Sequence, residues 1–160
     1  MAASFEMLQL ACDGIPYLAR LDCIGEVLMP AALRAIPGAP PLLLGLLNLR
    51  GDMLPVIDLA PRLGTRHGPD VGRVWRSRNR ILRIEHRDRQ LGVAVDLVGG
   101  IHQLQPDQRR KPVLGDGVAD LCLGDLWLMD GVTVQEIRFD ALLDGLEQGL
   151  LSPQDHRTLP

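Results

Sequence analysis

The side chains of this 160-residue chain best suited to nucleophilic, redox or metal chemistry are few: Ser4, Ser77 and Ser152, Cys12, Cys23 and Cys122, and His67, His86, His102 and His156. Nucleophilic catalysis requires a base within reach of an activated Ser, Cys or Lys. The serines fall in a terminus, a polar loop and a tail, and none sits in a G-x-S-x-G elbow. The cysteines are odd in number, widely spaced and free of any C-x-x-C, which disfavours both a disulfide framework and a structural zinc site. They read as buried thiols packing as small hydrophobes. Each His stands alone, without ligand spacing. Neither G-x-G-x-x-G nor a Walker A loop occurs, so no phosphate-cradling turn is present. Asp52 and Asp58, six residues apart and flanking a strand, could share a face, but a bare carboxylate pair is weak support for acid–base chemistry. The expectation is a non-enzyme with no cofactor and no metal.

The elements that hold these residues are mostly strands. Residues 5–12 and 15–21 are β-type runs around Asp13-Gly14, a hairpin dipeptide. Residues 21–29 suit a strand stopped by Pro30. Pro37-Gly38-Ala39-Pro40-Pro41 is a loop, and Pro41 suits the first turn of a short helix through Leu47. Residues 54–59 form a strand, with Pro55 demoting it to an edge or a strand start. A polar connection spans 64–79. Residues 81–84 and 91–98 form a hairpin around His86-Arg87-Asp88-Arg89, and Gly99-Gly100 bulges the continuation to Leu104. After a loop over 105–120, residues 121–129 and 132–137 flank Asp130-Gly131. A terminal helix follows, capped by Asp140, with Leu142, Leu143, Leu146 and Leu150 on one face. Residues 149–160 form a tail.

The chain is 46% hydrophobic, including thirty Leu, and only 3% aromatic. A chain of this size can bury about 68–70% of its unfolded surface without a staple. Its most apolar stretch, residues 39–49, is too short to span a bilayer and contains Pro40, Pro41 and Asn48. No basic leader opens the sequence. The protein therefore reads as soluble, reduced and cytoplasmic. The net charge of −3 is built from opposed blocks: +6 over residues 62–89 and −7 over 113–160. Seven Arg lie between Arg73 and Arg89. They raise an alternative, a small barrel that binds nucleic acid, but only Trp75 offers a stacking platform there and the acidic C-terminal third repels phosphate.

Three segments stand out together: Gly45-Leu46-Leu47-Asn48-Leu49-Arg50-Gly51, then Leu54-Pro55-Val56-Ile57-Asp58-Leu59, then Gly92-Val93-Ala94-Val95-Asp96-Leu97-Val98. In order and spacing they resemble the CheW family of chemosensory adaptors. That family's pattern has N-L-R-G after a short helix, then P-V-I-D-L, then a G-x-x-V-D-x-V strand. Cys23-Ile24-Gly25-Glu26-Val27-Leu28 resembles its V-x-E-I segment, and residues 137–143 its final strand-to-helix transition. The likeness spans roughly residues 4–148.

The resemblance implies one mainly β domain of two intertwined five-stranded SH3-like barrels, with a short inner helix, a C-terminal helix and a shared apolar seam. It also implies a non-enzymatic adaptor of a bacterial chemosensory pathway. The implied partners are the regulatory domain of a CheA-type histidine kinase and the cytoplasmic tip of a chemoreceptor, with no nucleic acid, no direct membrane insertion, and recruitment to membrane-associated receptor arrays. By resemblance, Ile24, Glu26, Val95, Asp96 and Val98 lie near the receptor groove, with Arg50 close to Glu26. Arg50 can form a forked pair with Glu26, Gly51 can take positive φ, and Asn48 can lock the turn. Ile24 and Val98 are, on composition alone, core candidates. Two stretches depart from the family pattern: the Arg-rich connection over 62–80 and the Asp- and Gly-rich 124–135. Leu114-Gly115 and Val134-Gln135 resemble adaptors of alternative pathways governing surface behaviour.

Overall fold

The computed structural model describes residues 3–40, 42–60, 63, 75–111 and 122–145. Its hairpins are set by two-residue turns in which both residues have positive φ. Asp13-Gly14 joins β1 (Phe5–Cys12) to β2 (Ile15–Arg20), and Arg50-Gly51 joins β4 (Leu43–Leu49) to β5 (Asp52–Asp58). Arg87-Asp88 joins β6 (Arg80–His86) to β7 (Arg89–Val95), and Asp130-Gly131 joins β10 (Leu123–Met129) to β11 (Val132–Ile137). Such turns match the right-handed twist of their strands. The remaining elements are β3 (Ile24–Leu28), β8 (Leu97–Leu104), β9 (Arg109–Arg110) and α1 (Phe139–Gly145).

The strands form a six-stranded sheet, β8-β1-β2-β11-β10-β9, and a five-stranded sheet, β3-β6-β7-β5-β4. Both are antiparallel except for one parallel pair each, β11 with β2 and β5 with β7. The chain starts in the six-stranded sheet, builds the whole of the other, and returns. The sheets are therefore intertwined, as expected. Each has its own apolar cluster: Met7, Leu18, Leu104, Trp127 and Val134 in one, Leu47, Leu54, Val56, Ile81 and Ala94 in the other. The largest cluster joins them. Leu8, Leu10 and Ala19 meet Ile57, Leu82, Ile84, Leu91 and Val95 there, sealed by Phe139, Leu142 and Leu143. The expected mainly β class with a shared seam and a terminal helix is what the molecule has.

Several local expectations are corrected. No inner helix forms: residues 43–49 are β4. This Leu run is held by the register with β5, from Leu43↔Ile57 to Leu49↔Asp52, and by two hydrogen bonds between Arg34 and Leu46 on its other side. Gly45 sits at a bulge with φ +153, and a Cβ there would come within 2.7 Å of the Arg34 carbonyl. β5 is internal despite Pro55, because its parallel ladder with β7 starts only at Val56. Residues 21–23 make a 3₁₀ turn before β3. The strand expected over 91–98 breaks at Asp96, where the chain changes sheets. The larger sheet has six segments because a 3₁₀ turn starting at Pro106 separates β8 from β9. The Gly99-Gly100 bulge is present, opposite Gln9. Asp140 lies inside the first helical turn rather than before it. Leu146, Leu150 and the tail, residues 64–74, and residues 112–120 of the loop fall outside the described residues.

Candidate functional site

The residues singled out in the sequence gather in two places. At the first, Arg50 is held with φ +52 and Gly51 with φ +92 at the end of a strand, not a helix. Asn48 locks this turn: its Oδ1 accepts the Gly51 amide at 3.0 Å. From the turn the Arg50 guanidinium reaches β3 at the opposite edge of the five-stranded sheet. There it donates to Glu26 twice, Nη2 to Oε1 at 3.0 Å and Nη1 to Oε2 at 3.3 Å. This forked, charge-assisted pair links the β4–β5 turn to β3 at the opposite edge of the sheet. It faces solvent, with Arg50 68% and Glu26 31% exposed in their side chains. The hydrogen bonds from Arg50 hold the Glu26 carboxyl below its ordinary pKa against some desolvation, with Arg83 adding a smaller pull. Arg50 is correspondingly raised, chiefly by the same hydrogen bonds.

Arg83 is the residue that sequence reasoning missed. It stands 3.8 Å from Glu26 and 2.7 Å from Glu85, and is largely buried. Gly25 makes room for it: a Cβ there would lie 2.7 Å from its guanidinium. The signal was present, since Arg83 and Glu85 are two apart on a strand and so share a face. A hollow of about 250 Å³ opens beside Arg50 and Arg83, lined also by Met53, Pro55 and Gln90.

The second place is the junction of β7 and β8. Asp96 bridges the sheets: its amide donates to the Ala11 carbonyl at 2.9 Å, its carboxylate accepts the Asp13 amide, and its carbonyl accepts from Asn79 at 3.0 Å. Ile24 and Val98, half-buried, pack on the central cluster. Val95 is fully buried and is corrected to a core residue, because it packs in the central cluster and both faces of β7 are covered there. Asp58 accepts the Ala60 amide at 3.1 Å.

A third constellation was not foreseen. The buried Glu136 carboxylate accepts from Trp127 Nε1 at 2.9 Å and from Arg20 Nε at 3.0 Å. Arg20 also lies 4.8 Å over the Phe5 ring, which meets Trp127 edge-on at 5.2 Å. Arg20 and Glu136 border a cleft of about 550 Å³ that is also lined by Cys23, His86, Arg109, Arg138 and Asp140. Its cationic groups already have anionic partners: Arg138 pairs with Asp140 and Arg109 with Asp125. Burial first, then Asp22 and Asp140, pushes the Cys23 thiol up to about 11, which keeps it protonated and unreactive at neutral pH. Two arginines of the basic cluster are held by backbone carbonyls. Arg80 donates to the Ser77 and Asn79 carbonyls, and Arg89 to the Leu143 carbonyl.

Comparison with known proteins bears on the family and the fold. The family model described as a CheW-like domain matches residues 6–147. Protein PilI of Pseudomonas aeruginosa is 34% identical over 91 residues, which is 57% of this chain and 48% of that protein. The probable chemotaxis protein CheW of Rhizobium etli is 39% identical over 67 residues, 42% of this chain and 40% of that one. The chain thus spans less than half the length of these relatives. The crystal structure of the scaffolding protein TtCheW from Thermoanaerobacter tengcongensis superposes with a TM-score of 0.73 at 21% identity, covering 84% of this chain and 89% of that one. With its matched domain running almost the whole described length, this chain belongs to the CheW-like domain family.

Proposed function

We propose that this chain is a non-enzymatic adaptor that couples a chemoreceptor to a CheA-type histidine kinase. The observation that carries this function is the Arg50–Glu26 fork, a preformed charged surface anchored at an edge rather than buried in a cleft. The ionisable groups beside it pair with one another, Arg50 and Arg83 with Glu26 and Arg83 with Glu85. Ile24, Glu26, Asn48, Arg50, Gly51, Asp96 and Val98 form the proposed contact region. Signal passes because the adaptor touches both partners with geometry sensitive to the receptor state.

The turn itself supplies a clean test. Asn-Gly is the sequence best suited to a two-residue turn with both φ positive, so Arg50→Asn removes the guanidinium while favouring the fold. The expected result is an unchanged or raised melting temperature together with at least tenfold weaker capture of a receptor-tip fragment or kinase regulatory domain. Wild-type binding to both by Arg50→Asn overturns the assignment.

A further inference from the structure

We infer that Asn79 is a positioning residue for the contact region: it holds the crossover from which Asp96 and Val98 are presented. Its effect on partner binding rests on the adaptor reading above. Asn79 is 4% exposed and lies just before β6. Both ends of its side-chain amide are engaged. Oδ1 accepts the Arg76 amide at 2.7 Å, and Nδ2 donates to the Asp96 carbonyl at 3.0 Å. An N–H at one end and a carbonyl at the other settle which way the amide points. The Asn79 backbone amide donates to the Arg76 carbonyl at 3.0 Å and closes a turn over residues 76–79. Arg80 clamps the same turn through the Ser77 and Asn79 carbonyls. The end of the Arg-rich connection is thus a fixed base for the Asn79 side chain.

The crossover depends on such a base. β7 ends at Val95 and β8 starts at Leu97, so Asp96 lies between two ladders and its peptide groups must find partners elsewhere. Its N–H goes to Ala11 in the six-stranded sheet, and its carbonyl goes to Asn79 at the head of β6 in the other. Held from both sheets, Asp96 directs its carboxylate to the Asp13 amide. Val98 follows two residues on, half-buried against the central cluster. Asn79 is too buried to meet a partner itself, so its influence passes through Asp96. The two bonds need an acceptor and a donor on one short side chain. Asp keeps the acceptor but turns a second oxygen toward the Asp96 carbonyl, and Leu offers neither.

Asn79→Asp in the full chain separates the two bonds, and Asn79→Ser, uncharged and shorter by one bond, takes its place if the carboxylate prevents folding. Val134→Ala, a core truncation in the six-stranded sheet, controls for lost stability alone. All are measured well below their melting ranges. Amide hydrogen exchange at Asp96 and Asp13 is expected to quicken at least tenfold in the Asn79 variant, while exchange in the β10–β11 hairpin stays as in wild type. Capture of a cytoplasmic-tip coiled-coil fragment of a chemoreceptor from the same organism is expected to weaken at least tenfold in the Asn79 variant and less than twofold in Val134→Ala. Wild-type exchange at Asp96 and Asp13 in the Asn79 variant, wild-type capture by it, or an equal loss of capture in Val134→Ala each overturns the proposal while leaving the adaptor reading intact. A wild-type chain that captures no fragment overturns the adaptor reading, and the contact role of Asn79 with it.

Discussion

Glu26 shows how much one residue's behaviour depends on its partners. An unfolded Glu titrates near 4.3, whereas here the forked bond from Arg50 keeps the folded carboxyl below its ordinary value. A depressed carboxylate stabilises the fold above the ordinary Glu range, and that contribution is lost as pH falls through the depressed folded value. Because the pair is solvent-exposed, the melting temperature should respond little. Its signature is the titration. The carbon-13 signal of the Glu26 carboxyl should titrate below the ordinary value, move up markedly in Arg50→Asn and less in Arg83→Gln, since Arg83 stands at 3.8 Å. A midpoint indifferent to both changes would show that the fork does not persist in solution. Sequence order alone placed Glu26 and Arg50 together through family likeness. It did not place Arg83 there, because a strand's cross-neighbours lie far away along the chain.

Among the elements, the contact of β5, β6 and β7 is tightly drawn. Gly92 lies between Val56 and Arg83 in the ladders. A Cβ on it would meet Val56 Cγ2 at 2.8 Å, Ile81 Cγ2 at 3.1 Å and the Pro55 carbonyl at 3.3 Å. Gly92→Ala should therefore destabilise by about 1–3 kcal/mol, the range for overpacking a filled core. In urea this would appear as a lowered midpoint at unchanged slope; an unshifted midpoint would mean that the three strands yield easily. The hairpins around Asp13-Gly14 and Asp130-Gly131 were legible because those dipeptides suit positive φ. β4 was not legible: LLGLLNL has no period that separates helix from strand, and its conformation comes from the pairing with Met53–Ile57 and Arg34.

At the scale of the molecule, the sheets share their largest core. Ile57, Leu82 and Val93 from one and Leu8, Leu10 and Ile137 from the other lie in a single cluster closed by Phe139 and Leu142. Neither sheet keeps its burial if the other unfolds, so the two should melt as one unit. In a Trp75→Phe variant, fluorescence from Trp127 reports the six-stranded sheet alone, while circular dichroism reports both. The two urea transitions are expected to coincide, as two-state unfolding requires. Separate midpoints would show that the sheets fold as independent halves. Phe139→Ala should shift both probes together, by about 3–5 kcal/mol, since it removes a buried ring from the shared cluster.

The unusual sparseness of Ser, the isolated His and Cys, the Asp-Gly turns and the ordered N-L-R-G, P-V-I-D-L and V-D-x-V segments are local properties, and the sequence by itself determined them. They sufficed for a mainly β chain, and through the family resemblance they carry they implied two intertwined sheets and the approach of Arg50 to Glu26. Three matters waited on the tertiary structure. Val95 proved to be core because both faces of β7 are covered there, Asp96 proved to be the point where the chain passes between sheets, and β8 proved to be a bulged edge strand. Burial, sheet order and edge exposure depend on which strands become neighbours, and that is decided by the whole set of long-range pairings rather than by any short stretch of chain.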